Sequence, residues 1–228
     1  MEGYVQQFGA GIVLTLEVSL GSFCMGLIFG IAGAAAKRST WSSLRIAGWL
    51  YTTLVRALPE LLLLLICFYM LATEFAAAAH LVGLVPADFR FDPLLVAVFS
   101  LGLIQGAYLT EIFRAAVDEI PSGQFEAAAA LGLPFWTRWF HVLGPRTLRN
   151  ALPSLGNVWL NATKDSSLIS IVGAFADVLK VGGMAAAATK HYLLFYGIVG
   201  LIFLVISLCS VMLLKAIHVR TEKGHRAL

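Results

Sequence analysis

The chain has 228 residues, of which 59% are hydrophobic and only 13% are charged, and its formal net charge at pH 7 is +3. Soluble domains carry about 25% charged residues, so this chain lacks the polar surface that a soluble fold needs, and its net charge is too small to favour nucleic-acid binding. The composition therefore predicts a membrane protein, with room for about five spanning helices of about 20 residues each.

Five apolar stretches predict five membrane-spanning helices in one all-α bundle, a single domain of residues 1–228. The second stretch contains Arg56 and Glu60, which would share one face of a continuous helix and could pair there. The fourth stretch is the least apolar, since it contains Lys164 and Asp165. The predicted spans are Gly3–Ala36, Ile46–Ala72, Pro93–Thr110, about Asn150–Phe175, and Tyr192–Leu214.

Positive charges indicate the orientation, because cytoplasmic loops are enriched in Lys and Arg. If the connections after spans one, three and five are cytoplasmic, eleven cations lie inside and three outside. The inside set is Lys37, Arg38, Arg45, Arg114, Arg138, Arg146, Arg149, Lys215, Arg220, Lys223 and Arg226, and the outside set is Arg90, Lys180 and Lys190. The N terminus is therefore predicted outside and the C terminus inside.

The connection between spans three and four, about residues 115–149, is long enough to contain a helix of its own. The Pro-Ser pair at 121–122 can start a helix, residues 124–131 are mostly strong helix formers, and Gly132 with Pro134 ends it. Because this helix carries few charges, we expect one side of it to be covered. The residues alone leave open whether a partner protein or the cytoplasmic end of its own bundle covers it.

Several segments of the chain match one family. Residues 121–128, PSGQFEAA, with Gly132 four residues later and a turn proline at Pro145, resemble the EAA loop of ATP-binding-cassette importer permeases. The flanking segments GAYLTEIFR at 106–114, LP at 152–153 and KDSSL at 164–168 resemble the polar amino acid branch of these permeases. The segment RALPE at 56–60 is similar to a second signature of that branch, and its acidic residue after the proline resembles the histidine, arginine and opine members. The resemblance extends over nearly the whole chain.

This resemblance implies a division of labour among subunits. Two such permeases form a dimer, whose second subunit is a copy or a paralogue. Two ATPase subunits dock on the short cytoplasmic helices. A binding protein outside the bacterial inner membrane delivers an amino acid. The chain has no Gly-x-x-x-x-Gly-Lys-Ser/Thr phosphate loop, so we expect ATP and Mg²⁺ on the ATPase subunits. We expect no cofactor and no catalytic residue on this chain.

The short cytoplasmic helix is the coupling helix of the resemblance. Closure of the ATPase subunits would pull two such helices together, tilt the spans and exchange inward-open and outward-open states. Glu126 would hydrogen-bond or ion-pair with the ATPase, small side chains would allow close approach, and a glycine would allow the turn. The residues expected to couple to the ATPase are Gly123, Gln124, Glu126, Ala127, Ala128 and Gly132.

One residue departs from the family pattern. Gly144 stands where the segment that closes the EAA loop usually has leucine. Glycine has no apolar side chain and allows many backbone conformations, so we expect it to remove a contact and loosen the loop.

Charges inside the membrane need a partner or water, because an ionised group at the bilayer centre costs about 2.5–3.5 kcal/mol. Arg56, Lys164 and Asp165 are interpreted as structural charges. Arg56 would pair with Glu60, and Lys164 with Asp165 or with another helix. A position near the cytoplasmic membrane boundary is the alternative for Arg56 and Lys164.

Glu60 and Glu111 are the candidates for a solute path. Carboxylates accept paired hydrogen bonds from guanidinium, ammonium and imidazolium groups, so an acidic cavity would attract basic amino acids or opine derivatives. The alternative for Glu111 is a local ion pair with Arg114, three residues on. Asp118 and Glu119 are expected to be solvated loop charges.

Two other classes of protein fit parts of the sequence. Lys164 lies close to Ser166 and Ser167, as in some intramembrane hydrolases, but the chain has no Gly-x-Ser-x-Gly turn. Its five scattered histidines form no His-Glu-x-x-His motif, so no metal site is predicted. A secondary transporter or channel subunit could be this apolar, but neither needs an exposed coupling helix.

Overall fold

The computed structural model describes residues 2–84, 86, 89–173 and 175–223, and the regular secondary structure of this part is helical throughout. Of the cations used for orientation, Arg226 lies outside the described residues. The α-helices are α1 (Glu2–Lys37), α2 (Ser42–Ala57), α3 (Glu60–Tyr69), α4 (Ala76–Leu81), α5 (Pro93–Asp118), α6 (Ser122–Ala130), α7 (Phe135–Thr137), α8 (Gly144–Asp165), α9 (Ile169–Val172), α10 (Val178–Thr189) and α11 (Tyr192–Lys223). Two π-helical segments, Met70–Phe75 and Arg138–Leu143, and a 3-10 turn, Ser166–Leu168, connect some of them.

Four helical segments of the described chain are long and apolar enough to cross a membrane. They are Gly3–Lys37, Glu60–Ala78, Pro93–Asp118 and Tyr192–Ile217. They correspond to predicted spans one, two, three and five, although the second starts later than predicted and the third continues past Thr110 to include Glu111 and Arg114.

The prediction of a single helix from Ile46 to Ala72 is wrong. The chain breaks at Leu58 and Pro59, where Leu58 has extended backbone angles of φ −99° and ψ 151°. Proline lacks the N–H that a helix interior needs and disfavours a helical conformation in the residue before it. Arg56 therefore lies near the end of α2 and Glu60 begins α3, so the predicted Arg56–Glu60 pair on one helix does not form.

The directions of the helices show that the fourth predicted stretch also crosses the bundle. α5 ends beside the end of α1, where Arg38 pairs with Asp118, whereas α11 begins where Phe195 packs with Phe8 near the start of α1. The chain between α5 and α11 must therefore return to the opposite end of the bundle, and α8 is its one long helix among the described residues.

The observed bounds of this crossing differ from the predicted ones. α8 starts at Gly144 and its 22 residues extend roughly 33 Å, about the thickness of a membrane's hydrocarbon core. After Asp165 the helix breaks into the 3-10 turn and α9, which ends at Val172, short of the predicted Phe175. We call the end of the bundle that contains Lys37, Arg38 and Asp118 the basic end.

Glycines allow α1 and α5 to approach each other closely. A Cβ atom added at Gly30 of α1 would lie 2.6 Å from Leu109 Cβ of α5, and one added at Gly102 would lie 2.6 Å from Met25 Cβ. Small residues allow helix backbones to approach within membranes, where packing and interhelical hydrogen bonds, not water exclusion, drive association. The contact therefore sets the position of α5 along α1.

Three apolar clusters surround this helix pair. One joins Phe8 of α1 to α10 and α11 at the end opposite the basic end, and a second joins α3, α5 and α9 around Leu64 and Leu101. The third packs Leu155 of α8 against Phe113 of α5 close to the basic end. The bundle is thus held along its whole length.

We predict that Gly30→Ala destabilises the chain by about 1–3 kcal/mol, the usual cost of overpacking, because its Cβ atom would overlap Leu109. The measurement is the fraction of purified protein that stays monodisperse in detergent after heating. Gly9→Ala on the same helix is the control, since nothing lies within 4 Å of its added Cβ. Equal melting of the two variants would contradict the proposed packing role.

Candidate functional site

Five charged side chains form an ion-pair cluster at the basic end. Arg114 donates from Nε to Glu111 Oε2 at 3.0 Å and from a terminal nitrogen to Asp118 Oδ2 at 2.9 Å. Lys37 pairs with the other oxygen of Glu111, and Arg38 with the other oxygen of Asp118. The cluster joins the last turns of α1 and α5.

This cluster confirms one sequence prediction and corrects another. The local pair between Glu111 and Arg114 is present, as the spacing of three residues predicted. Asp118 is not simply a solvated loop charge, because it ends α5 and binds two arginines. No local pattern predicts Lys37 as a partner of Glu111, because the two residues are 74 positions apart in sequence.

A groove with a volume of about 550 Å³ lies next to the cluster, between α1, α2 and α5. Among the described residues, four cationic side chains line it but only one carboxylate, that of Glu111. Its lining residues are Lys37, Arg45, Trp49, Thr52, Thr53, Arg56, Ala57, Glu111 and Arg114. The groove therefore has an excess of positive charge, and the negative charge of Glu111 is balanced by Lys37 and Arg114.

A second polar group surrounds Glu60, deeper in the bundle. Tyr108 donates its hydroxyl to Glu60 Oε1 at 3.0 Å, and the Arg56 guanidinium lies 5.5 Å from the centre of the Tyr108 ring. The carboxylate of Asp165, at the end of α8, interacts electrostatically with that of Glu60. Tyr108 is ten residues before the end of α5, which is about 15 Å from the basic end along the helix.

Lys164 and Asp165, interpreted from the sequence as a local pair, interact electrostatically but form no salt bridge. The two are neighbours in sequence, but they do not approach within ion-pair distance. Lys164 is exposed and Asp165 is half-buried, so their side chains occupy different environments. Asp165 also interacts electrostatically with Glu60, which its position in sequence did not indicate.

One face of α8 is polar and exposed. Pro153, Asn157, Asn161 and Lys164 are exposed on it, whereas Leu155, Val158 and Ala162 on the opposite face are buried. The Asn150 amide donates to the carbonyl of Ala116 at 3.0 Å, which places the start of this face near the end of α5.

The exposed polar face of α8 extends into the membrane-spanning part of the bundle. At about 1.5 Å per residue, the two asparagines lie roughly 10 and 16 Å along the axis from Asn150, deep within the bundle. Amide groups facing lipid tails would lack hydrogen-bond partners, so water or another protein must cover them. These asparagines were not among the predicted site residues, although their spacing of four in a weakly apolar stretch was the available signal.

The short helix predicted between spans three and four is confirmed as α6, Ser122–Ala130. It ends because Gly132 has a φ of +67°, a conformation that glycine adopts without a steric cost. Gly123, Glu126 and Ala127 are exposed, Gln124 is half-buried, and Ala128 is only 2% exposed. One side of α6 thus packs on its own chain and the other is free.

Gly144 has a steric role where α8 begins. A Cβ atom there would lie 2.6 Å from the carbonyl oxygen of Trp139, five residues earlier. The preceding segment is the π-helix Arg138–Leu143, whose wider turn brings that carbonyl close. A leucine at this position would not fit the observed backbone.

Comparison with known proteins shows which family of sequences this chain matches. Residues 26–223 match the sequence model of the family described as "Binding-protein-dependent transport system inner membrane component". A nopaline transport system permease protein of Agrobacterium fabrum is 40% identical over 91% of this chain and 88% of its own length. A histidine/lysine/arginine/ornithine transport system permease protein of Salmonella typhimurium is 36% identical over 88% of this chain and 86% of its own length.

Two solved structures share the fold. A crystal structure of an amino acid ABC transporter with histidines superposes with a TM-score of 0.78 and 26% identity, over 96% of both chains. An inward-facing structure of the MetNI methionine ABC transporter superposes with a TM-score of 0.76 over 97% of this chain and 99% of that one. Its identity is 17%, so it supports the fold alone.

We predict that Glu111→Gln destabilises the chain by about 1–3 kcal/mol, because Lys37, whose side chain is only 10% exposed, loses its carboxylate partner. The measurement is the heat resistance of the purified protein in detergent. The double variant with Lys37→Gln should recover part of the loss, since no unpaired charge remains.

The more exposed Arg38–Asp118 pair provides the comparison, with an expected effect of at most about 1 kcal/mol for Arg38→Gln. If Arg38→Gln destabilised the chain as much as Glu111→Gln, the prediction that the more buried pair contributes more to stability would be wrong.

Proposed function

We propose a function from one premise: the chain belongs to the family of binding-protein-dependent transport system inner membrane components. It is the permease subunit of an ATP-driven importer and transports amino acids of the basic or opine class. It is a multi-pass protein of the bacterial inner membrane, with its N terminus outside and its C terminus in the cytoplasm. It catalyses no reaction itself.

The observation that carries this proposal is the exposed polar face of α8. A chain that served only as a membrane anchor would have no reason to expose Asn157, Asn161 and Lys164 at membrane depth, because lipid tails offer them no hydrogen bonds. A water-filled path, closed on its other side by a second permease subunit, satisfies these groups. That second subunit is a copy or a paralogue of this chain.

The substrate class follows from the acidic groups beside the path and from the relatives. Glu60 and Asp165 are two carboxylates that interact electrostatically, and neither forms an ion pair among the described residues. A guanidinium or ammonium group between them would relieve the repulsion of the two carboxylates, and all three charges would then have a partner. The relatives named above transport nopaline or histidine, lysine, arginine and ornithine.

The remaining charges have supporting roles in this proposal. Glu60 contacts the solute, while Glu111 lines the groove toward the cytoplasm with its charge balanced by Lys37 and Arg114. Arg56 and Lys164 act as structural intramembrane charges, Arg56 through its contact with the Tyr108 ring. The acidic groups beside the path are thus Glu60 and Asp165, whereas the groove at the basic end has an excess of positive charge.

The free side of α6 is the proposed ATPase contact. Gly123, Glu126 and Ala127 are exposed there, and the nearest charged neighbours in sequence on either side are Glu119 and Arg138. Ala128 supports this surface from behind, since it is buried against its own chain, and Gly132 provides the turn. ATP and Mg²⁺ bind on the ATPase subunits, and an extracytoplasmic binding protein delivers the amino acid.

Reconstitution tests the function as a whole. The chain, purified with its ATPase and permease partners, is inserted in liposomes with the binding protein outside and ATP inside. We expect uptake of labelled arginine, histidine, nopaline or octopine that needs both ATP and the binding protein. Uptake by this chain alone down an ion gradient would instead identify a secondary transporter or channel subunit, and uptake of neutral amino acids only would contradict the substrate class.

We predict that Glu60→Gln reduces import of a basic substrate about tenfold, because one charge-assisted hydrogen bond, worth about 1.5 kcal/mol, is lost. The measurement is initial uptake rate in the same liposomes at equal protein content. Tyr108→Phe is the control: it removes only the hydroxyl that donates to Glu60 and should have a smaller effect. Parental rates in Glu60→Gln would contradict direct contact with the solute.

We also predict that Glu126→Lys lowers ATP-dependent import at least tenfold, because reversing this charge removes a charged contact with the ATPase. The readouts are co-purification of the ATPase and uptake, which together separate failed docking from failed transmission. Glu119→Lys reverses an exposed charge at the end of α5, seven residues before Glu126, and should leave both readouts unchanged. Equal effects of the two substitutions would contradict a specific role for α6.

A further inference from the structure

Two arginines in the groove at the basic end lack a carboxylate partner. Arg45 donates to the Ser42 hydroxyl at 3.4 Å, and the Arg56 guanidinium stacks over the Tyr108 ring, but neither forms an ion pair within the described residues. Lys37 and Arg114 share the single carboxylate of the groove. The lining therefore has an excess of positive charge, and no carboxylate of the described residues forms an ion pair with Arg45 or Arg56.

An apolar stripe runs beside this groove on α2. Ile46, Leu50 and Leu54 are spaced by four residues, so they share one face of the helix, and they are 56%, 43% and 58% exposed. Arg45 and Trp49 line the groove and directly precede Ile46 and Leu50 in sequence, so the groove-lining face of α2 is adjacent to its apolar face. A ligand that fits both must have an anionic group next to a hydrocarbon chain.

We propose that this groove binds the headgroup of an anionic phospholipid, whose acyl chain lies along Ile46, Leu50 and Leu54. A phosphodiester oxygen can accept hydrogen bonds from the guanidinium of Arg45 and from the hydroxyl of Thr53, both of which line the groove. The groove lies at the basic end, where cationic residues meet the charged leaflet surface. The proposal does not depend on which solute the chain transports.

Lipid binding to the purified importer complex tests this site. The complex is delipidated and titrated with phosphatidylglycerol or with phosphatidylcholine, and the bound lipids are counted by native mass spectrometry. We expect the parent to bind phosphatidylglycerol preferentially. Arg45→Gln should weaken that binding about fivefold, the effect of one cation near a charged leaflet, and Arg45→Lys should retain most of it.

Lys215→Gln is the matched control, since it removes an exposed cation of α11 that does not line the groove. It should leave binding of phosphatidylglycerol unchanged. Because Arg45 is exposed and forms no ion pair with a described residue, its substitution is not expected to unfold the chain, and a melting measurement on each variant checks this.

Three outcomes would overturn the lipid site. The first is equal binding of the two lipids by the parent, and the second is unchanged phosphatidylglycerol binding in Arg45→Gln. The third is displacement of phosphatidylglycerol by millimolar transported amino acid, which would make the groove a part of the solute path. The proposal would be supported if the parent bound phosphatidylglycerol preferentially and Arg45→Gln weakened that binding, while Arg45→Lys and Lys215→Gln largely retained it.

Discussion

The close contact between α1 and α5 is the constraint on which the other features depend. Gly30 and Gly102 let the two backbones approach so closely that a single added carbon would overlap the facing helix. Within a membrane, helices associate through such packing because lipid tails are as apolar as the side chains. The contact fixes the register of the pair, and the register decides that Lys37 reaches Glu111 at the basic end.

The ion-pair cluster extends this contact toward α6. Asp118 is the last residue of α5, and α6 begins at Ser122, so only three residues separate the cluster from the proposed ATPase contact. Arg38 ties Asp118 to α1, and Asn150 ties the start of α8 to the carbonyl of Ala116. A displacement of α6 would therefore act on three crossing helices together, which is the mechanical property that alternating access needs.

The two polar regions of the bundle differ in charge. The deeper one contains the carboxylates of Glu60 and Asp165 beside the amides of α8, and it suits a cationic solute in water. The groove at the basic end is cationic and borders an exposed apolar stripe on α2, and it suits an anionic amphiphile. Tyr108 connects the two regions, since its hydroxyl donates to Glu60 and its ring lies under the guanidinium of Arg56, which lines the groove.

The sequence by itself determined what depends on composition and on neighbours along the chain. The apolar majority required a membrane fold, the helix-forming run required α6, and the spacing of three residues paired Glu111 with Arg114. Pro59 also carried a readable signal, since a proline with an extended residue before it ends a helix, although the apolar run around it favoured a single span. Only the tertiary structure decided that Lys37 meets Glu111 across 74 residues and that Tyr108 meets Glu60 across 48. The reason is physical: a pattern within one or two turns reports which side chains share a helix face, whereas the partner of that face depends on how closely glycines allow two separate helices to pack.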